Sequence, residues 1–402
     1  MTTGADAAAT SALTEPNDDG SAIGRLRRQI AFRNYTLLLV VVVTWLVFQV
    51  LTNGIFLSQR NLTLLALQTT ITALAAISAV MLIVTRNIDL SVGSAVALVG
   101  VVVAWLTVRM DIDPLIAVPV AIATGIALGA WNGWWVTRIG VPSFIVTLAG
   151  LLTFRGISLI ITNSATISPV PKSMTGFATG FLPAAMSIAL VCLLFAGYAL
   201  FQVADARRAK AFGLIARIGP RVARMLIPAA VGALIAIYVS SSNGLPLLVL
   251  MLGACALAAE VLMRRTRYGA QLYAIGGNPE AARLAGINIG RAIFWDFLIA
   301  GFAYGVTGVA LTARVSGAVS GSAGLFLELD AITAAIIGGT SLAGGRGTIL
   351  GALLGAALMG SLNNGMSLLG IGTAYQYTAG GLVLLVAVAI DVVGRRRGRG
   401  QL

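Results

Sequence analysis

Runs of roughly 20 apolar residues recur between polar breaks from Tyr35 almost to the C-terminus, and a helix needs that length to cross the hydrocarbon core of a bilayer. They read as spans at 35–52, 62–85, 91–109, 114–136, 142–162, 181–201, 225–240, 245–263, 292–313, 330–342, 348–366 and 376–393. The segments 225–240 and 330–342 are short enough to be re-entrant or half-membrane elements, so the pattern predicts an all-α, polytopic transmembrane protein of about 10–12 membrane segments. Composition agrees: 58% of the 402 residues are hydrophobic and only 10% are charged, where a soluble domain carries about 25%.

Residues 1–34 are polar, acidic and then basic, and the first apolar run comes too late and is too long for a cleaved signal peptide. The expected organisation is a cytoplasmic tail over 1–34, disordered at its start, a membrane domain over 35–393 that includes a polar loop at 264–291, and a basic tail over 394–402. Histidine is absent, and Cys192 and Cys255 sit inside apolar runs, where buried free thiols are expected. No catalytic residue, metal site or bound cofactor is expected.

Cytoplasmic loops collect Lys and Arg. With the N-terminus inside, the twelve spans leave Arg60, Arg109, Lys172 and Arg314 outside and Arg155 within a span, and every other cationic residue falls inside. Both termini are therefore expected in the cytoplasm. The net charge of +13 is scattered over short loops and tails next to membrane lipid, which argues against nucleic acid as a partner.

The loop from Tyr268 to Arg291 has the signals of a short capped helix. Asn278 suits the N-cap, Pro279 the first helical position, Glu280 the positive helix N-terminus, and Gly286 a left-handed end. The glycine-rich segment Gly338–Gly347 is not a phosphate-binding loop, because Gly345-Arg346-Gly347 stands where Lys followed by Ser or Thr is required. Any ATP and magnesium must be used by another chain. Gly347, Gly351 and Gly355 lie four apart on one helical face, a small-residue seam that fits packing within the chain better than a contact between copies.

Polar residues inside spans need an explanation. Glu260, Asp296 and Asp391 fall near the expected cytoplasmic ends, where interfacial ion pairing is the ordinary account, and no acid is evident deep in the membrane. Arg155 lies well inside its span, either as a buried structural partner or as a wall of a path. Asp89, at a junction between spans, serves as a helix cap or as a ligand contact.

These segments together carry a resemblance. Glu280, Ala281, Ala282 and Gly286, with Arg283 between them, match the docking-helix pattern of ABC importer permeases. Gly338–Gly347 is similar to the corresponding stretch of the ribose, xylose and galactose importer permeases, as is Asn87-Ile88-Asp89-Leu90-Ser91-Val92-Gly93-Ser94. Ala130-Trp131-Asn132-Gly133-Trp134-Trp135, followed by Val141-Pro142-Ser143-Phe144-Ile145, resembles xylose permeases in particular, as does the extra stretch from about Lys210 to Pro246. The resemblance implies a homodimeric permease subunit in a bacterial inner membrane. It also implies that a sugar-binding protein delivers pentose, xylose above all, and that a separate ATPase docks on Asn278–Gly286. A sugar path needs uncharged hydrogen-bonding groups, for which Asn87, Ser91, Asn163, Asn363 and Asn364 qualify. An ion-gradient-driven secondary transporter is the alternative.

Overall fold

The computed structural model describes residues 22–211, 232, 238, 243–319 and 321–399. Helix α1 (Ala22–Leu51) leads through a turn into α2 (Gln59–Val84), and α3 (Val92–Ala104) follows after seven residues of non-helical chain. Next come α4 (Pro114–Trp134), α5 (Ser143–Thr162), the short α6 (Lys172–Thr179) and α7 (Ala184–Ala211). The remainder runs through α8 (Leu247–Arg265), α9 (Arg267–Gly277), α10 (Pro279–Leu284), α11 (Ile289–Val315), α12 (Leu327–Ile337), α13 (Ile349–Leu368) and α14 (Thr373–Arg399). α3 and α4 each close in a π-helical turn, at Trp105–Arg109 and Trp135–Ile139.

Among the described residues, eight helices are long and apolar enough to cross a membrane, and Thr36–Leu51 and Ala184–Leu200 are shorter apolar stretches. The basic residues before Tyr35 continue α1 as helix from Ala22, and the C-terminal basic residues extend α14 to Arg399, so neither tail begins where the apolar run ends. The segment expected at 330–342 is α12, whose 11 residues rise only about 16 Å, half a crossing. The span expected at 225–240 and most of the stretch from Lys210 to Pro246 lie outside the described residues.

α2 and α3 form the centre and are mostly buried, whereas α14 lies at the periphery. Such all-round burial requires close backbone approach, and the tightest seam joins α4 to α11. Gly125, Gly129 and Gly133 lie four apart on α4 and face Gly301, Gly305 and Phe297 of α11, so that a Cβ at Gly129 would collide with the Phe297 carbonyl oxygen. The seam at Gly347, Gly351 and Gly355 folds onto α12 and its exit loop: a Cβ at Gly351 would strike the Gly338 carbonyl, and one at Gly355 the Ala334 carbonyl.

The starts of α3 and α12 meet inside this bundle. A Cβ at Gly93, in the first turn of α3, would overlap the Gly324 carbonyl and the Glu328 carboxylate at the start of α12. From that meeting point the helices diverge. α3 runs beside α11 towards Val315, with Gly308 against Val96 and Thr312 against Gly100. α12 runs the other way, to a loop whose Gly345 N–H donates to the Val84 carbonyl (2.8 Å). Near the end of α11, Ala318–Val319 pairs antiparallel with Thr166–Ile167, and Phe181–Leu182 pairs with Leu245–Pro246.

Overpacking a filled seam costs about 1–3 kcal/mol. Gly129→Val is therefore expected to lower the apparent melting temperature of the purified protein in detergent. Gly253→Val on α8, where a Cβ meets nothing within 4 Å, is expected to leave it unchanged.

Candidate functional site

The non-helical segment between α2 and α3 descends into the bundle with its polar groups assigned one by one. The Thr85 hydroxyl donates to Asp296 Oδ2 of α11 (3.0 Å) and accepts from Asn87 Nδ2 (3.0 Å). The Ile88 N–H donates to Ser143 Oγ, and the Ile88 carbonyl accepts from Thr147 Oγ1, each at 3.2 Å, so two side chains of α5 replace the partners a helix would have supplied. Asp89 Oδ1 accepts from the Ser91 N–H and hydroxyl, both at 2.7 Å, its Oδ2 accepts from the Tyr304 hydroxyl, and Ser91 Oγ accepts from Asn132 Nδ2 (2.9 Å). Asp89, Ser91, Asn132 and Tyr304 are all buried. Asp89 thus ties off the buried N-terminus of α3 and fastens it to the middle of α11.

At the other end of that segment lies a second assembly. Asn278 caps α10, its side chain accepting from the Ala281 N–H (3.1 Å), and Pro279 occupies the first turn. Gly286 has φ +81°, its N–H donates to the Arg283 carbonyl, and the Ile287 N–H reaches back to the Ala282 carbonyl (3.1 Å). This is a Schellman end, which needs a left-handed residue where glycine stands. Only Ala282 of the short helix is buried; Glu280, Ala281, Arg283, Leu284 and Gly286 face outwards. The Glu280–Arg283 pair is about 70% exposed on both sides (3.2 Å) and contributes little to stability.

The helix before it, α9, is held from beneath. Its C-terminal carbonyls at Gly276 and Gly277 accept from Arg86 Nε (2.8 Å) and Nη2 (3.0 Å). The Tyr273 hydroxyl donates to the Gly347 carbonyl (2.8 Å), and the Tyr268 hydroxyl to the Ala292 carbonyl (3.1 Å). Burial pushes both phenols above their usual range, with Asp296 adding to the rise at Tyr268, so both remain donors.

Residues 61–388 match the family described as "branched-chain amino acid transport system / permease component". The chain belongs to this permease family. It is 41% identical over 387 residues to the xylose transport system permease protein XylH of Escherichia coli K12, covering 96% of this chain and 97% of that protein. Against XylH of Haemophilus influenzae the identity is 39%, covering 92% and 99%, and against the ribose import permease RbsC of E. coli K12 it is 34%, covering 84% and 87%. No solved structure matches.

Within this permease the polar residues singled out from sequence fall into separate places. Asn87, Asp89 and Ser91 share the buried junction. Arg155 comes close to it: its Nη1 donates to the Ala323 carbonyl (2.7 Å), beside the α3–α12 meeting point, where it also faces Glu328 electrostatically. Asn364 is elsewhere, exchanging two amide hydrogen bonds with Asn61 of α2 (2.9 and 3.0 Å); Asn363 precedes it, half-buried. Asn163 ends α5 in a left-handed conformation at the surface. Glu260 pairs with Arg264 (2.7 Å) near the end of α8 as expected, but Asp296 is fully buried and held by Thr85, because α2 turns against α11 there and excludes the interface. Asp89 and Glu328 are likewise buried acids deep in the bundle, contrary to the expectation of none. Tyr304, Asn132, Thr85 and Arg86 completed these networks without a signal in local spacing.

A cleft of about 370 Å³ lined by Gln59, Arg60, Thr63, Phe181 and Asn243 opens beside the start of α2. α10 lies beyond the other end of that helix.

Removing the hydroxyl of Tyr304 leaves a buried carboxylate oxygen without its donor, a loss of about 1–3 kcal/mol. Tyr304→Phe is expected to reduce the thermal stability of the purified permease while keeping the ring's packing; an unchanged melting curve would show that α3 does not depend on this tie.

Proposed function

We propose that this permease is the membrane subunit of an ATP-driven importer of pentose, with xylose as substrate. The single observation that carries the reading is a capped, outward-facing α10 fastened to the broken α2–α3 junction in a chain similar to XylH over nearly its whole length. α10 lies among the basic loops, so Asn278, Glu280, Ala281, Ala282, Arg283 and Gly286 face the cytoplasm, as do both termini, in a bacterial inner membrane. There they receive a separate ATPase chain, which binds and hydrolyses ATP with magnesium.

An extracytoplasmic binding protein delivers sugar at the opposite end, near Arg60, and a second copy of this chain completes the path. The permease performs no covalent step. ATP-driven movement of α10 favours one of two packings of the helices around the junction. Asn87, Ser91, Asn363 and Asn364 offer uncharged groups to sugar hydroxyls, Asn163 does so at the mouth, and Asp89 and Arg155 shape the path.

A second reading has one observation in its favour. Asp89, Asp296 and Glu328 are buried acids, and a carrier driven by an ion gradient places its coupling site on such groups.

Radiolabelled xylose uptake into proteoliposomes, with the chain alone or with its ATPase and binding protein, separates the two. Uptake is expected to require ATP and both partners, and to be lost in Gly286→Asp, which places a carboxylate on the docking surface while the helix bundle stays folded. Uptake by the chain alone along a proton or sodium gradient would establish the carrier instead.

A further inference from the structure

We infer that Arg86 is the positioning residue that transmits movement of α10 to the α2–α3 junction; the inference rests on the importer reading above. Three segments that are distant in sequence meet at this side chain. Its guanidinium fork holds the last two carbonyls of α9, Gly276 and Gly277, one residue before Asn278 caps α10. Its aliphatic stem lies against Gly344, whose φ of +80° puts the glycine loop where any Cβ would meet Arg86 Cγ at 2.5 Å. Its backbone comes two residues after Val84, whose carbonyl accepts from Gly345 N–H (2.8 Å), and lies between Thr85 and Asn87, which begin the buried network leading to Asp89 and Ser91.

The contact is stiff where it needs to be. A Cβ on Gly276 would collide with the Val84 carbonyl and with the Gly345 nitrogen, so α9, α2 and the glycine loop touch backbone to backbone and cannot slide independently. Arg86 adds the directional part: a planar fork binds two adjacent carbonyls in one orientation, which a Lys ammonium cannot reproduce. A displacement of α10 therefore pulls on Gly277, and through the fork on the residue immediately before Asn87. The backbone of Arg86 is itself left-handed, with φ +67°, a conformation that Asn tolerates better than most residues.

That tolerance selects the test. In Arg86→Asn the fork is gone and the backbone is not strained further. Arg86→Lys keeps the charge without the fork. Each variant is assembled with the ATPase and binding protein in proteoliposomes, and xylose taken up is measured per ATP hydrolysed. We expect Arg86→Asn to assemble and to support ATP hydrolysis while uptake per ATP falls roughly tenfold, within the ~5–150-fold range of coupling between sites, and Arg86→Lys to fall between it and wild type. A wild-type uptake ratio in Arg86→Asn overturns the assignment. Should Arg86→Asn not assemble, Arg86→Lys decides: a lowered ratio in an assembled complex supports transmission, and a wild-type ratio overturns it. Uptake by the wild-type complex that is indifferent to ATP would instead overturn the importer reading, without reference to any variant.

Discussion

The constraint on which the rest of this permease depends is that the chain stops being helical in the interior of an apolar bundle. A backbone N–H or C=O left open there costs several kcal/mol, because lipid offers no replacement for water. The segment from Thr85 to Ser91 meets that constraint at Ile88 through Ser143 and Thr147 of α5, while its own polar side chains are bonded by Asn132 of α4 and by Asp296 and Tyr304 of α11. The fold is arranged to keep those helices at hand. Glycines on α4 and α11 bring those two backbones together, Gly150 of α5 lies against both Ser91 and Asn132, and Gly93 and Gly324 let the starts of α3 and α12 abut.

Legibility in the sequence followed locality. The crossing helices could be read because 20 apolar residues in a row have few other uses, and α12 stood out as too short for the same reason. The cap of α10 was legible down to Asn278, Pro279 and Gly286, because an N-cap and a Schellman end are each decided within six residues. Asp296 was misplaced because counting from a span's end says nothing about what covers it; α2 covers it. Tyr304 and Asn132 carried no signal, since an aromatic or an amide in an apolar run is usually core, and their partners lie 215 and 41 residues away. The Gly125–Gly129–Gly133 spacing is as regular as the one at Gly347, but spacing of small residues announces close approach and not the surface approached. Arg86 read as one more basic loop residue, and only the position of α9 gives its fork something to hold.

The two ends of the bundle are built to different standards. Near Val84, contacts are backbone to backbone, glycine against glycine, with tyrosine hydroxyls and a guanidinium closing the remaining carbonyls. At the other end the elements are joined by two-residue strand pairs and by the reciprocal amides of Asn61 and Asn364.

The tie between Asp89 and Tyr304 also bears on how the protein is made. A chain synthesised at roughly 5–20 residues per second needs about 10–40 s to produce the 215 residues that separate the two partners. During that interval the start of α3 has only its local cap from Asp89 and no α11 to lean on. Contacts so distant in sequence are slow to form, so α3 is fastened at its start only after α11 has been made.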